Sequence, residues 1–113
     1  MQMPYRAKPI HAAKATLFRT LGHPARVRIL ELLRDGELSV GALQDSLELD
    51  SGGTSQHLAA LRRIGLVESR REGTSVFYRV ADEGAFALLE VGRGIVTRAL
   101  AEQRALLEEI EAE

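Results

Sequence analysis

The feature that most constrains this fold is the stretch 49–67, in which a turn runs directly into a short amphipathic helix. The turn is predicted at residues 50–53 and the helix at about residues 54–64. With 3.6 residues per turn, one face carries Thr54, Leu58, Leu61 and Gly65. The opposite face is small, polar or basic and carries Ser55, Gln56, Ala59, Arg62 and Arg63. One face can therefore pack inward, while the other suits insertion into a DNA major groove.

Three further helices are predicted before this stretch, at about residues 10–21, 24–34 and 40–47. Gly22 ends the first helix, and His23 is expected to cap the second, whose first turn holds Pro24. Ser39 is a good N-cap for the third. The side chains expected to face inward are Ile29, Leu30, Leu33, Leu43 and Leu47.

A β-hairpin is predicted after the amphipathic helix. Its strands, at residues 67–71 and 75–80, flank a turn in which Gly73 can supply the positive φ that a tight hairpin needs. Upstream, Glu37 and Leu38 form a segment long enough for only one strand-like pairing. The chain is therefore expected to be mainly α-helical, with one small β-hairpin.

Residues 82–113 are predicted to form one long helix capped by Asp82. Small and apolar residues recur every three or four positions along it for about seven turns. At ~1.5 Å per residue this helix outreaches a small globular domain, so its apolar stripe is expected to pair with a partner helix. The alternative is a helix wrapped onto its own core. The predicted dimer interface comprises Leu17, Leu21, Leu88, Gly92, Ile95, Val96, Ala99, Leu100 and Leu107.

Length and composition limit the classes of protein and site. A chain of 113 residues predicts a single domain over residues 1–113. The absence of cysteine excludes disulfides, thiolate metal sites and cysteine redox sensing. No apolar run reaches the length of a membrane span, and the N-terminus lacks the apolar segment of a secretory signal. We therefore expect a soluble cytoplasmic protein with no membrane partner.

The net charge of −1 is unevenly distributed. Residues 1–34 carry seven Lys or Arg against one Glu, and residues 51–81 carry five Arg against two Glu. Residues 35–50 carry five acids and no base, and residues 82–113 carry eight acids against three Arg. Basic charge thus collects near the N-terminus and around the amphipathic helix, as expected for contact with nucleic acid; a solvated surface with alternating charge is the alternative.

Four motifs follow one another between about residues 16 and 82. They are F-R-T-L-G-H-P-A-R-V-R-I-L-E-L-L, L-S-V-G-A-L, S-Q-H-L-A-A-L-R-R-I-G-L-V and R-R-E-G-T-S-V-F-Y-R-V. In this order and spacing they resemble the ArsR/SmtB family of bacterial transcriptional repressors, whose fold is a winged helix-turn-helix. The resemblance implies a homodimer, formed through the first and last helices, that binds double-stranded DNA at an inverted-repeat operator. It also implies repression in the free state and release by an inducing signal.

The metal sites of the founding family members are missing from this chain. One site needs a cysteine pair on the third helix, where this sequence has Ser39 and Gly41. The other needs Asp and His, then His and Glu or His, on the last helix; Asp82 is present, but no His follows His57. We therefore expect no metal and no cofactor, and the inducing signal stays undefined. A zinc site joining His11 to carboxylates of a partner's last helix is the remaining metal alternative.

The residues expected to contact DNA lie on the fourth helix and on the hairpin. Gln56 can bond an adenine edge in a bidentate manner, and Ser55 can bond a base or a phosphate. His57 lies near the inward rim and either reads a base or is bonded to neighbouring backbone. Arg70 and Arg71 are expected to touch phosphates. The full predicted set is Ser51, Ser55, Gln56, His57, Arg62, Arg63, Arg70, Arg71 and Thr74.

Two other classes of function fit the sequence less well. A winged-helix module for protein–protein contact needs an apolar face, whereas this face is polar and basic. An enzyme needs a nucleophile–base pair, a phosphate loop or a metal cluster, and no such pattern is recognisable.

Two ways of controlling the expected repressor stay open. Either a small organic ligand binds between the first and last helices and releases the DNA, or there is no ligand and the abundance of the repressor or a partner protein sets operator occupancy. One of Arg26 and Arg28 is expected to form an internal ion pair.

Overall fold

Five α-helices and three β-strands are found in the computed structural model, which describes residues 8–113 apart from the side chain of Ser51. The helices are α1 (Pro9–Leu21), α2 (Pro24–Leu32), α3 (Val40–Leu47), α4 (Ser51–Arg63) and α5 (Gly84–Glu111). The strands are β1 (Leu38–Ser39), β2 (Val67–Glu72) and β3 (Ser75–Val80), and a 3₁₀ turn (Leu33–Asp35) follows α2. Two compact units result, one ending at Asp82 and the other formed by Glu83–Glu113.

Local sequence signals set several helix ends as predicted. His23 caps α2, because its Nδ1 accepts the backbone N–H of Ala25 at 3.3 Å. Ser39 caps α3, because its Oγ accepts the N–H of Ala42 at 3.1 Å. Gly22 ends α1. These three helix ends are therefore confirmed, and each depends on residues close together in the sequence.

The core of the first unit consists of aliphatic side chains from α2, α3, α4 and the start of the hairpin. The buried members of this core include Ile29, Leu30, Leu33, Leu43, Leu58, Leu61, Leu66 and Val67. Leu47, also expected to face inward, is half-buried at the end of α3. The helical period therefore identified most of the core, to which α1 adds no buried residue.

The start of α4 differs from the prediction. The helix begins at Ser51, because Asp50 Oδ1 accepts the N–H of Gly53 at 2.7 Å and organises the first turn. The reversal of the chain occurs earlier, at Glu48, which ends α3 in the left-handed conformation with φ 56°. The predicted turn at residues 50–53 is therefore wrong, since these residues are the cap and first turn of the helix.

Two expectations at later helix ends are also wrong. Gly65, expected on the inward face of α4, lies beyond the helix, is exposed and has φ 81°. Asp82 does not cap α5, which starts at Gly84 with Glu83 as its N-cap. The N–H of Ala81 still bonds the carbonyl of Leu66 at 2.8 Å. The pairing of the hairpin thus extends to Ala81, and the helix begins three residues later.

The sheet has three antiparallel strands in the order β1-β3-β2. Leu38 pairs with Tyr78 and Ser39 with Phe77, so the short segment before α3 makes one more residue pair than expected and adds a third strand to the predicted hairpin. β2 and β3 are joined by a two-residue turn in which Gly73 has φ 61°. With α3 and α4 as the helix-turn-helix and β2–β3 as the wing, the predicted winged helix-turn-helix fold is confirmed.

α5 has 28 residues, which corresponds to about 42 Å. Its large apolar side chains from Val91 onward are more than half exposed. They are Val91, Ile95, Val96, Leu100, Leu106, Leu107 and Ile110. Leu88 and Gly92, in the first third of the helix, are half-buried. Within residues 8–113, no helix combines the length and apolar character needed to cross a bilayer.

Candidate nucleic-acid interface

α4 separates a buried apolar face from an exposed polar face, as the helical period predicted. Thr54, Leu58 and Leu61 are completely buried. The exposed residues on the other side are Ser55, Gln56, Ala59, Arg62 and Arg63. The first turn carries no acidic side chain, and the last turn carries two arginines. The buried face thus fixes the rotation of α4 and presents a surface that is polar at one end and basic at the other.

The start of α4 depends on a close contact between its cap and a glycine. A Cβ atom on Gly53 would lie 3.1 Å from Asp50 Oδ1, a contact tighter than side chains usually make. This cap precedes Ser55 and Gln56 by about one turn, so it sets the start of the helix segment that carries them. The side chain of Ser51, which was predicted to contact DNA, lies outside the described part of the structure.

One face of the wing holds its arginine in a network of hydrogen bonds. Arg70 donates from Nε and Nη2 to the two carboxylate oxygens of Glu37 at 2.8 and 2.5 Å, and from Nη1 to Glu72 at 2.7 Å. Its guanidinium carbon lies 4.6 Å from the centre of the Phe77 ring. The hydrogen bond from Arg70 lowers the pKa of Glu37, and the same carboxylates raise the pKa of Arg70. Arg70, predicted to touch phosphate, already binds two carboxylates.

The opposite face of the wing has an arginine without such partners. Side chains alternate along a strand, so Arg71 lies on the face of Ser69 and the buried Val67. Arg71 is exposed, and it makes no hydrogen bond or ion pair with any residue that the structure describes. Arg62 Nη1 donates to Ser69 Oγ at 3.4 Å, which ties the end of α4 to this face. Arg62 and Arg71 thus occur on the same side of the wing.

The remaining charged groups of the wing reinforce this difference. Arg79 forms an ion pair with Glu68 across β2 and β3, on the same strand face as Arg70. That face therefore carries three carboxylates against two guanidinium groups. Thr74 is exposed in the hairpin turn. Only the Arg71 face has the excess of positive charge that suits a phosphate backbone.

His57 is directed toward α2. Its Nδ1 accepts a hydrogen bond from Arg26 Nε at 3.2 Å, and its ring centre lies 4.3 Å from that of His23. Arg26 Nη1 also donates to the carbonyl of Thr20 at the end of α1. Burial, followed by the neighbouring His23 and Arg26, lowers the pKa of His57. The predicted backbone partner of His57 is thus replaced by an arginine side chain.

One of the two arginines of α2 forms an ion pair within the protein, as expected. Arg26 bonds an imidazole and a carbonyl, as described above. Arg28 does form an ion pair, with Glu31 at 3.6 Å, but both side chains are about half exposed. The pair joins residues one helical turn apart on the surface, because Arg28 lies on the solvent side of α2.

The positions that correspond to the family metal sites show no metal-binding cluster. Ser39 Oγ is engaged in capping α3, and Gly41 has no side chain. Across residues 8–113, no group of three or more His, Cys, Asp or Glu is placed to hold a metal ion. His11, the remaining candidate, lies on the exposed surface of α1.

The contacts of two residues that shape this surface, Arg26 and Glu37, were not predicted from the sequence. Arg26 lies three residues after the capping His23, and this spacing was a signal that both belong to the first turn of α2. Glu37 directly precedes β1, whose pairing with β3 brings it to the wing. Both residues act through partners more than 30 positions away in the sequence.

Comparison with known proteins gives matches over most of the chain. The model of the bacterial regulatory protein arsR family matches residues 23–69. Rv0081, an uncharacterized HTH-type transcriptional regulator of Mycobacterium tuberculosis, is 43% identical over 107 residues, which cover 94% of each chain. The crystal structure of Rv0081 superposes with a TM-score of 0.79 at 42% identity, covering 86% of this chain and 98% of that chain.

Further relatives differ in the direction of regulation that their names give. The biofilm growth-associated repressor of Agrobacterium fabrum is 43% identical over 76 residues, covering 67% of this chain and 65% of the repressor. The transcriptional activator HlyU of Vibrio cholerae is 44% identical over 82 residues, covering 72% and 76%. The NMR structure of a homodimeric winged helix-turn-helix DNA-binding domain from Mycobacterium bovis has a TM-score of 0.71 at 31% identity, covering 84% and 91%.

Proposed function

Because this chain belongs to the ArsR family of bacterial transcriptional regulators, we propose that it is a homodimeric repressor that binds an inverted-repeat operator. The family and the relatives are regulators of transcription, not enzymes. The observation that carries this proposal is the exposed face of α4, polar near its start and basic at its end. Each subunit places α4 in one major groove, with the two copies about 34 Å apart along the DNA.

The exposed side chains divide into groups that read bases and groups that bind phosphates. Gln56 and Ser55 lie near the N-terminal end of α4, where they can reach base edges. Arg62, Arg63 and Arg71 supply positive charge to the DNA backbone, which adds affinity without sequence choice. Thr74, at the tip of the wing, is placed to donate to a phosphate.

The proposed dimer forms through α1 and α5. Ile95, Leu100 and Leu107 on α5 are between 54% and 58% exposed, which is unusual for large apolar side chains in a regular stripe. Ile10 and Phe18 on α1 are 55% and 59% exposed. The Mycobacterium bovis relative is described as homodimeric. A second copy of this chain is the partner that covers both helices.

The inducing signal is proposed to be a small organic molecule. Cysteine is absent from the sequence, and residues 8–113 contain no group of three or more His, Cys, Asp or Glu placed to hold a metal ion. A largely apolar cavity of about 440 Å³ lies between α1 and the chain after α4, lined in part by Leu17, Ile64 and Leu66. A thermal-shift screen of metabolites and metals tests this proposal: a metabolite that stabilises the protein and releases DNA supports it, and release by a metal ion alone contradicts it.

A gel-shift titration tests the proposed function. The probes are a duplex from the region upstream of the protein's own gene and a random duplex of equal length, each at 50 and 200 mM salt. We expect a retarded band with the upstream duplex at both salt concentrations, and with random DNA only at low salt. No retarded band at low salt would contradict DNA binding and would favour a module for protein–protein contact.

The direction of regulation has its own test, because the relatives include a repressor and an activator. The upstream region is fused to a reporter gene in the bacterial cytoplasm, where the protein is proposed to act. Deletion of the protein's gene should raise reporter expression. A fall in expression would assign the protein as an activator.

A further inference from the structure

A hydrogen-bonded chain links the end of α1, the start of α2 and the middle of α4. Arg26 lies at its centre, donating from Nη1 to the Thr20 carbonyl and from Nε to His57 Nδ1, each at 3.2 Å. His57 directly follows Gln56 on α4 and precedes the completely buried Leu58. One guanidinium group therefore connects α1, a helix of the proposed dimer interface, to the helix proposed to read DNA.

The hydrogen bonds at this point require neutral imidazole rings. His57 Nδ1 accepts from Arg26, and His23 Nδ1 accepts from the backbone N–H of Ala25. A protonated imidazole carries hydrogen on both nitrogens and has no acceptor. A proton on His57 Nδ1 thus breaks its bond to Arg26 and places two positive charges side by side.

The surroundings of His57 oppose its protonation. Among the residues that the structure describes, the titratable groups that act on it are His23 and Arg26 of α2, and neither is acidic. From α1, the carbonyl of Thr20 accepts a hydrogen bond from Arg26. The first turn of α2 contains no acidic side chain, and the positive end of the helix dipole lies there. Burial and these neighbours place the pKa of His57 below its ordinary value of 6.5.

We propose that Arg26 and His57 are positioning residues that hold α4 in the orientation needed for DNA binding, and that a proton on His57 releases this hold. The inference rests on the proposed function, and it assigns His57 a role through Arg26 instead of a direct contact with a base. Acid then weakens specific binding. A simple gain of positive charge beside DNA has the opposite effect and strengthens binding.

Fluorescence anisotropy with the upstream duplex tests this inference between pH 5.5 and 8.0 at constant salt. The variants are His57→Asn, Arg26→Lys and, as a matched control on the same helix, Arg28→Lys. The Oδ1 atom of Asn can replace Nδ1 as the acceptor and does not titrate in this range. Lysine keeps the charge of Arg26 but lacks the fork that reaches both partners.

The wild-type dimer should lose at least about tenfold in affinity between pH 7.5 and 5.5, because one hydrogen bond to a charged group is lost in each of its two subunits when His57 is protonated. His57→Asn should lose most of the acid dependence of binding, whatever its affinity at pH 7.5, because the amide does not titrate in this range. Arg26→Lys should bind about tenfold more weakly at pH 7.5, whereas Arg28→Lys should match wild type. Circular dichroism at each pH verifies that the variants are folded.

Several results would overturn the inference. Tighter binding in acid would show that the charge of His57 matters more than its hydrogen bond. The same pH profile for His57→Asn and wild type would remove His57 from the account, even if Arg26→Lys fails to fold. Equal binding by folded Arg26→Lys and Arg28→Lys would remove Arg26. If wild type binds neither the upstream nor the random duplex at pH 7.5, the proposed function itself fails, and this inference falls with it.

Discussion

Replacement of Arg71 by alanine should remove one phosphate contact from each subunit, and therefore two contacts from the dimer. Each neutralised phosphate contributes about 0.9 to the slope of log affinity against log salt concentration. Arg71→Ala should thus lower the slope by about 1.8. Counterion release alone then weakens binding by about 30-fold at 0.15 M salt and by about 200-fold at 0.05 M salt. The loss should be equal for upstream and random DNA, because phosphate contacts carry no sequence information.

The neighbouring arginine provides a matched comparison. Arg70 has the same side chain one position earlier, but its guanidinium already binds Glu37 and Glu72. Arg70→Ala should therefore change the salt slope much less than Arg71→Ala. The lost guanidinium was bound to two carboxylates of the protein and not to a phosphate, and these carboxylates lie at a distance from the phosphates. Arg71→Lys should retain most of the slope, because lysine still neutralises a phosphate.

Anisotropy titrations at four salt concentrations between 0.05 and 0.3 M provide these slopes. The proposed orientation of the wing on DNA would be contradicted if Arg70→Ala lowered the slope as much as Arg71→Ala. It would also be refuted if Arg71→Ala left the slope unchanged. In either case the side of the wing that meets DNA would differ from the one proposed.

Three further substitutions have specific expected outcomes. Gln56→Ala should weaken binding to the upstream duplex by about 1–3 kcal/mol per half-site while leaving random-duplex binding unchanged in anisotropy titrations; equal losses would remove its role in base reading. Thr54→Val should raise the free energy of unfolding by about 1 kcal/mol in urea, because the buried hydroxyl has no partner among the described residues; a loss of stability would contradict this. Leu100→Glu should convert the dimer to monomer in light scattering, whereas Ala101→Glu, off the stripe, should not; a dimeric Leu100→Glu protein would exclude this face.

The parts of the fold that could be predicted depend on residues close together in sequence. The 3.6-residue period distinguished the buried Leu58 and Leu61 from the exposed Gln56. Caps and turns at His23 and Gly73 involve neighbouring backbone, so the residue type already indicates the structure.

Helix starts near competing signals were predicted less well. Gly52 and Gly53 favour a turn by composition. In the structure, however, the cap at Asp50 and the burial of Thr54 extend α4 back to residue 51. Asp82 is a suitable cap by residue type, but the chain is still hydrogen-bonded to Leu66 at Ala81, and the helix begins only at Gly84.

The contacts that decide individual roles in the site could not be predicted, because they join distant segments. Glu37 binds Arg70 across 33 positions, and Arg26 binds His57 across 31. No local pattern distinguishes the occupied Arg70 from the available Arg71, since both are arginines in one strand. Their difference follows from which face of β2 each occupies and from the strand that pairs beside it.

A hydroxyl-radical footprint on the upstream DNA tests operator recognition by the dimer, because it shows both sequence choice and dimer geometry. We expect two protected segments related by an inverted repeat, with centres about one helical turn or 10–10.5 base pairs apart. Protection should persist in excess random DNA and weaken in Gln56→Ala. No protection at 50 mM salt, or uniform protection independent of sequence, would contradict the claim that a dimer of this protein reads an operator through α4.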